Sequence, residues 1–258
     1  MWHLANDYIR TNIFPDVGTK PPEKKVVLAY KFSSYDTKLV LKALQEDASS
    51  YLYSSIISFL DALQGLKAGF YSWPTVKLYY SIFYSCRASL ASHKICLFYV
   101  GRSAFSVNLN GNNIPLSQGG NTHQAVLELY RSSMPLSSFL AQEIDQEKPF
   151  EWFAYKREYC NYKQPKFCEP TIPAYFNKID SIGAKSCLTA YNNDTNLYLF
   201  DKDHAIVSYP YALILETIKE FSHVGINLDE PELQHLRNNL RDLGLPESLF
   251  ELDFSSLV

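Results

Sequence analysis

The chain has no charge excess of one sign, no long apolar run and none of the usual cofactor signatures. Lys and Arg total 24 against 27 Asp and Glu, a formal net charge of −3. No whole-chain field therefore draws it to nucleic acid, although a local basic groove stays open. No stretch approaches the roughly 18 consecutive apolar residues that span a bilayer. The N-terminus has no basic region followed by an apolar run, the pattern of a secretory signal. A cytoplasmic protein without membrane association is the expectation. The five cysteines (Cys86, Cys96, Cys160, Cys168, Cys187) are odd in number and irregularly spaced. With no CxxC and no Cys/His pair at zinc-finger spacing, they are expected as free buried thiols, with no metal and no cofactor. Gly119-Gly120 precede a helical pattern but lack P-loop or dinucleotide spacing. Ser132-Ser133 lacks a nucleophile elbow. Repeats and low-complexity linkers are absent.

At 258 residues the chain is long enough for one large domain or two small ones. Aromatics reach 15%, with 19 Tyr and 16 Phe. Tyrosine buries a large ring yet needs a partner for its hydroxyl, so this excess predicts either semi-polar seams between helices or a protein-binding surface. The load is greatest in residues 73–93, WPTVKLYYSIFYSCRASLASH. Tyr79, Phe83, Cys86 and Leu90 fall in one helical row, and Tyr80, Tyr84, Arg87 and Ala91 in the next. Arg87 sits at the edge of a broad apolar face and needs a partner there.

Elsewhere the pattern predicts an irregular N-terminal arm over residues 1–34, with a short strand at 24–32. A helix follows over about 35–66, capped by Asp36 or Thr37. Residues 94–109 read as a strand or hairpin, and 111–121 as a loop. A helix capped by Thr122 is expected through Arg131, with further helices after Met134-Pro135 and from Pro149 to Tyr162. Residues 165–182 read as extended chain. A hairpin around Asn192-Asn193-Asp194 is expected within 187–201. A helix is expected over 204–224, with its start open to lying after Pro210. The last strong helix opens at Asp229 with Pro231 and stops at Gly244.

Three segments carry a family resemblance. Tyr79, Tyr80, Phe83, Tyr84, Arg87, Ala88, Leu90 and Ala91 resemble a YYxxFYxxRAxLA-type helix of HEPN-like proteins. REYCNYKQPKFCEP, residues 157–170, resembles their Arg-Glu-x-x-Asn-Tyr segment with its Pro/Phe/Pro tail. THQAVLEL, residues 122–129, is similar to a further matching helix. The resemblance implies a mainly α, HEPN-like helical bundle over about 35–170, with short β additions. The C-terminal extension, about 185–258, is read as helix and hairpin within the same single domain. It also implies a bacterial anti-phage defence or toxin-type complex, with association to another protein of the same operon or to a second copy.

Many HEPN domains cut RNA without metal, using an Arg and a His four to six residues apart. Arg stabilises charge on the phosphate, and His moves the proton. Arg87 and His93 satisfy that spacing, yet on an unbroken helix they stand about 120° apart. Arg157 is the better positional match, with Tyr162 in place of histidine and Asn161 one turn away on the same face. Lys156, Lys163 and Lys166 add positive charge that could contact phosphate. Tyrosine, with a reference pKa near 10, is a poor base. His123 reads as a capping or core residue, and His204, His223 and His235 as surface or core. A catalytically degenerate subunit acting by protein association is therefore the leading expectation. RNA cleavage at Arg157, Asn161 and Tyr162, or at Arg87 and His93, is the alternative, and nucleotide sensing by loop 111–121 is a third.

Overall fold

The computed structural model describes residues 3–250. Residues 1–2 and 251–258 of the expected arm and extension lie outside the described residues. The fold is mainly α with one small sheet, as the sequence predicts. Along the chain run α1 (Leu4–Tyr8), α2 (Lys24–Ala29), α3 (Ser34–Lys67) and α4 (Ser72–Ser92). Next come β1 (Ile95–Val100), β2 (Ser103–Asn108), β3 (Leu116–Gln118), α5 (Thr122–Ser133) and α6 (Pro149–Glu158). The chain ends with α7 (Asn177–Ile182), α8 (Ala184–Asn193), α9 (Thr195–Leu199), α10 (Ala205–Val224) and α11 (Glu230–Leu243). The three strands form an antiparallel meander in the order β1-β2-β3.

The Tyr-rich helix α4 is the centre of the fold, with 17 of its 21 residues buried. Helices α3, α5, α6 and α10 all pack on it. Small residues allow its close approach to α3. Ser55 Oγ donates to the Ser81 carbonyl at 2.8 Å and lies 2.7 Å from Ser85 Oγ, so a polar seam is satisfied inside the core. The aromatic excess is largely spent on such seams. Tyr209 donates to the Phe139 carbonyl at 2.7 Å, and Tyr211 to Asn192 Oδ1 at 2.6 Å.

Arg87 is only 7% exposed. Its Nη2 donates to Tyr51 Oη at 2.7 Å, and its guanidinium carbon lies 4.2 Å from the centre of the same ring. Its Nη1 is 3.1 Å from His3 Nε2. A guanidinium has only donors, so that nitrogen must accept and His3 must be neutral. Burial, with Arg87 beside it, lowers the His3 pKa to about 4. The unfolded chain thus binds this proton more readily, so the contribution is whole above the ordinary value near 6.5. It is lost as pH falls from there toward 4. A His3→Gln variant should show a flatter decline of melting temperature across that window.

The N-terminal arm is not irregular. It forms α1, a π turn at Ile9–Ile13, and α2 in place of the expected strand. Asp47 Oδ1 and Oδ2 accept from the Leu4 and Ala5 N–H groups at 2.8 and 2.9 Å, and Asn6 Oδ1 accepts from Tyr99 N–H. A five-residue helix cannot hold itself in water, so these distant partners hold it. At 24–32 only Val27 and Phe32 are buried, and Lys24 to Ala29 coil after Pro21-Pro22. The cap of α3 is Ser33, which accepts from the Asp36 N–H while the Asp36 carboxylate takes the Ser33 N–H.

Other boundaries also differ. Loop 111–121 contributes β3. Asn121 rather than Thr122 caps α5. Only a single 3-10 turn, Ser138–Leu140, follows Pro135. Residues 174–182 are helical, where extended chain was expected. The expected hairpin is two helices. Cys187, Leu188 and Tyr191 are buried at helical spacing, and Asp194 caps α9 by accepting from the Leu197 N–H at 3.1 Å. Helix α10 starts at Ala205 with Pro210 inside it, because Asp201 and His204 carbonyls take the Ala205 and Ser208 N–H groups ahead of the proline. Helix α11 opens on an Asp229 capping box and stops at left-handed Gly244, as the sequence predicts.

The Glu-Pro that ends segment 157–170 has a structural role. Glu169 Oε1 accepts from the Tyr71 and Ser72 N–H groups at 2.5 and 2.6 Å, and Oε2 accepts from Ser72 Oγ at 2.8 Å. This carboxylate caps α4 from almost a hundred residues away. Burial would raise its pKa, but the N–H donors outweigh that and bring it to about 2. Its contribution is present above about 4.5 and lost as pH falls toward 2. Glu169→Ala should lower unfolding free energy by about 1–2 kcal/mol at neutral pH in a urea titration. The difference from the parent should narrow in acid.

Candidate functional site

A cleft of about 540 Å³ opens between α5 and α6, with Tyr79 of α4 at its base. It is lined by His123 and Leu127 of α5, by Ala154 and Arg157 of α6, and by residues 118–121 at the rim. Helix α5 is amphipathic. Ala125, Val126, Leu127, Leu129 and Tyr130 are buried, and His123 and Leu127 stand at the edge of that face where it borders the cleft. Helix α6 begins at Pro149 in its first turn and buries Phe150, Trp152 and Phe153, placing Arg157 one helical turn beyond Phe153. Gly120 has φ +76°, and a Cβ there would meet Gln124 Oε1 at 2.6 Å, so this rim position requires glycine.

His123 and Arg157 share Tyr79 as a neighbour. His123 Nδ1 is 3.2 Å from Tyr79 Oη, and the imidazole packs 4.6 Å from the Phe83 ring centre. The Arg157 guanidinium lies 4.8 Å from the Tyr79 ring centre. Its Nε is buried with no hydrogen-bond partner. Burial first, then the positive charge of Arg157 and Arg87, pushes the His123 pKa below its ordinary value. Burial raises Tyr79, against the opposing effect of Arg157, so the phenol keeps its proton at neutral pH. Arg131 also lines the cleft, but it is occupied: its Nη2 holds Glu151 at 2.7 and 2.9 Å and its Nη1 holds Glu128.

The other sequence-derived candidates fall elsewhere. Asn161 and Tyr162 lie in the π turn Tyr159–Lys163 that closes α6, outside the cleft lining. Tyr162 is 74% exposed, with its ring 6.0 Å from the Arg157 guanidinium. Arg87 and His93 do not converge. Arg87 turns to Tyr51 and His3, whereas His93 Nδ1 faces the Ser89 carbonyl at 2.9 Å and Glu220 at 3.9 Å. The glycine pair is at the cleft rim, and a capping box at the start of α5 occupies one of the helix's first N–H groups. Gln124 N–H is bound by Asn121 Oδ1, and Asn121 N–H by Gln124 Oε1.

The sequence presents His123 as a capping or core residue; in the fold Asn121 is the cap, and His123 stands half-buried in the cleft against Tyr79. Its place in the first turn of α5 is the one sequence signal that points to it. Among the described residues no group of three His, Cys, Asp or Glu side chains could hold a metal ion, and no helix is long and apolar enough to cross a membrane. The five cysteines are free.

No family model, curated protein or solved structure matches the chain. Fold and site therefore define it only as a mainly α protein with an Arg/His/Tyr cleft on its central helix.

Proposed function

We propose that this protein is a HEPN-like, metal-independent ribonuclease acting at the cleft between α5 and α6. The observation that supports this reading most is that His123 and Arg157 line one cleft and share Tyr79. In this chemistry a ribose 2′-oxygen attacks the adjacent phosphorus. His123 takes the 2′-hydroxyl proton as the new O–P bond forms, and the P–O5′ bond breaks. The products are a 2′,3′-cyclic phosphate and a 5′-hydroxyl, formed as the leaving oxygen takes a proton from water while His123 returns its own to solvent. Arg157 offsets negative charge on the phosphoryl oxygens in the transition state. When His123 Nδ1–H donates to Tyr79, Nε2 holds the lone pair that a base requires. The test is RNA cleavage in EDTA by the parent and by His123→Ala and Arg157→Ala. Cleavage absent from the parent, or untouched in both variants, sinks the reading.

A second reading, a subunit of a bacterial defence or toxin-type complex, is favoured by a separate observation. Trp73 and Phe167 are 54% and 51% exposed and meet edge-to-face at 6.0 Å. Paired exposed aromatics suit a protein partner encoded in the same operon. Co-expression with the neighbouring gene products should yield a complex that Trp73→Ala with Phe167→Ala dissociates. A complex indifferent to both substitutions removes this surface from consideration.

A further inference from the structure

We infer that the outer face of α6 and its π turn is a stacking platform for single-stranded RNA leading into the cleft, an inference that rests on reading that cleft as an RNA site. Tyr155 and Tyr159 are 44% and 40% exposed, one helical turn apart, with rings stacked at 6.1 Å and 27° between planes. Lys163 Nζ lies 4.6 Å and Lys156 Nζ 5.7 Å from the centre of the Tyr155 ring. The exposed Tyr162 ring connects this face to the cleft through its neighbour Arg157.

Partly exposed aromatic rings beside flexible ammonium groups are the two elements that bind a single strand. Bases stack on the rings, and the lysines swing to the phosphates. A duplex hides its base faces inside the helix, so it gains only the charge. The nearby carboxylates do not cancel that charge one for one. Glu158 lies 3.9 Å from Lys163, Glu151 is held by Arg131, and the Lys156 ammonium group faces the aromatic rings of Trp152, Tyr155 and Tyr175. Charge complementarity thus favours a polyanion over an apolar protein segment as occupant.

The experiment is fluorescence anisotropy with a short labelled oligouridylate, in a His123→Ala background so that the probe survives. Tyr155→Ala with Tyr159→Ala should weaken binding about tenfold or more. Lys156→Gln with Lys163→Gln should reduce the slope of log affinity against log salt by about 1.4. The same oligonucleotide annealed to its complement should be insensitive to the tyrosine substitutions. Melting curves establish that each variant keeps the parent fold. Unchanged affinity in a folded tyrosine variant, or no single-strand binding by the His123→Ala protein, overturns the platform and leaves the face to a protein partner. Tyrosine-dependent binding without cleavage by the parent would support the platform while overturning the chemistry assigned to the cleft. Cleavage without tyrosine-dependent binding would do the reverse.

Discussion

His123→Ala and Arg157→Ala are each expected to lower RNA cleavage in EDTA by about 10²–10³-fold, with folding unchanged. Loss of His123 removes the proton acceptor, so the deficit belongs in kcat. Arg157→Lys should recover part of the loss, because it keeps the charge but not the planar fork of donors. The pH dependence follows from the direction of the His123 shift. Burial and two neighbouring cations hold its pKa below 6.5, so the neutral, proton-accepting form predominates at pH 7. Cleavage should therefore rise with pH through a limb below 6.5 and be flat with respect to this group at neutrality. Tyr162→Phe should leave the chemical step intact, since Tyr162 lies outside the cleft. A rate that follows Tyr162 or Asn161 instead of His123 would return the chemistry to the π turn.

Arg87→Ala is expected to be the most destabilising of these substitutions, by about 3 kcal/mol. It leaves the buried Tyr51 hydroxyl without its guanidinium donor and opens a gap beneath that ring. It also frees His3, whose contact helps hold α1 against the core. In a chain of this length the melting temperature should fall by about 6–12 °C. Below that transition, cleavage per folded molecule should survive, because Arg87 and His93 address different partners. A folded Arg87→Ala protein whose cleavage is abolished, with the same loss in His93→Ala, would place the chemistry at the end of α4 after all. Urea titration alongside the RNA assay separates these outcomes.

The elements legible in the sequence share a physical property: their signal is local. The capping box at Asp229 and the stop at Gly244 delimit α11 within fifteen residues. The apolar rows of α4 state its central place by themselves, and the β-formers of 94–109 produce the expected hairpin. The failures share another property. Residues 187–201 carry an Asn-Asn-Asp turn signal that resembles a hairpin, and the helical spacing of Cys187, Leu188 and Tyr191 decides against it. The arm looked irregular because the groups that order it, Asp47 and Asn6, act across more than forty residues. Glu169 likewise caps a helix far upstream, which no window along the chain displays.

The sequence by itself determined that the protein is mainly α, that a Tyr-rich helix lies at its centre, and that Arg157 stands out. It also required a partner for Arg87. Only the tertiary structure decided which partner, because His3, just ahead of α1, and Tyr51 of α3 reach that guanidinium from separate parts of the chain. The same holds for the site. Arg157 and His123 are 34 residues apart, on α6 and α5, and no spacing rule within one helix links them. Both helices bury their apolar faces on α4, and that shared packing surface turns the two side chains to one cleft over Tyr79. Burial there, beside two cations, keeps the histidine neutral, a property of the packed environment and not of the residue alone.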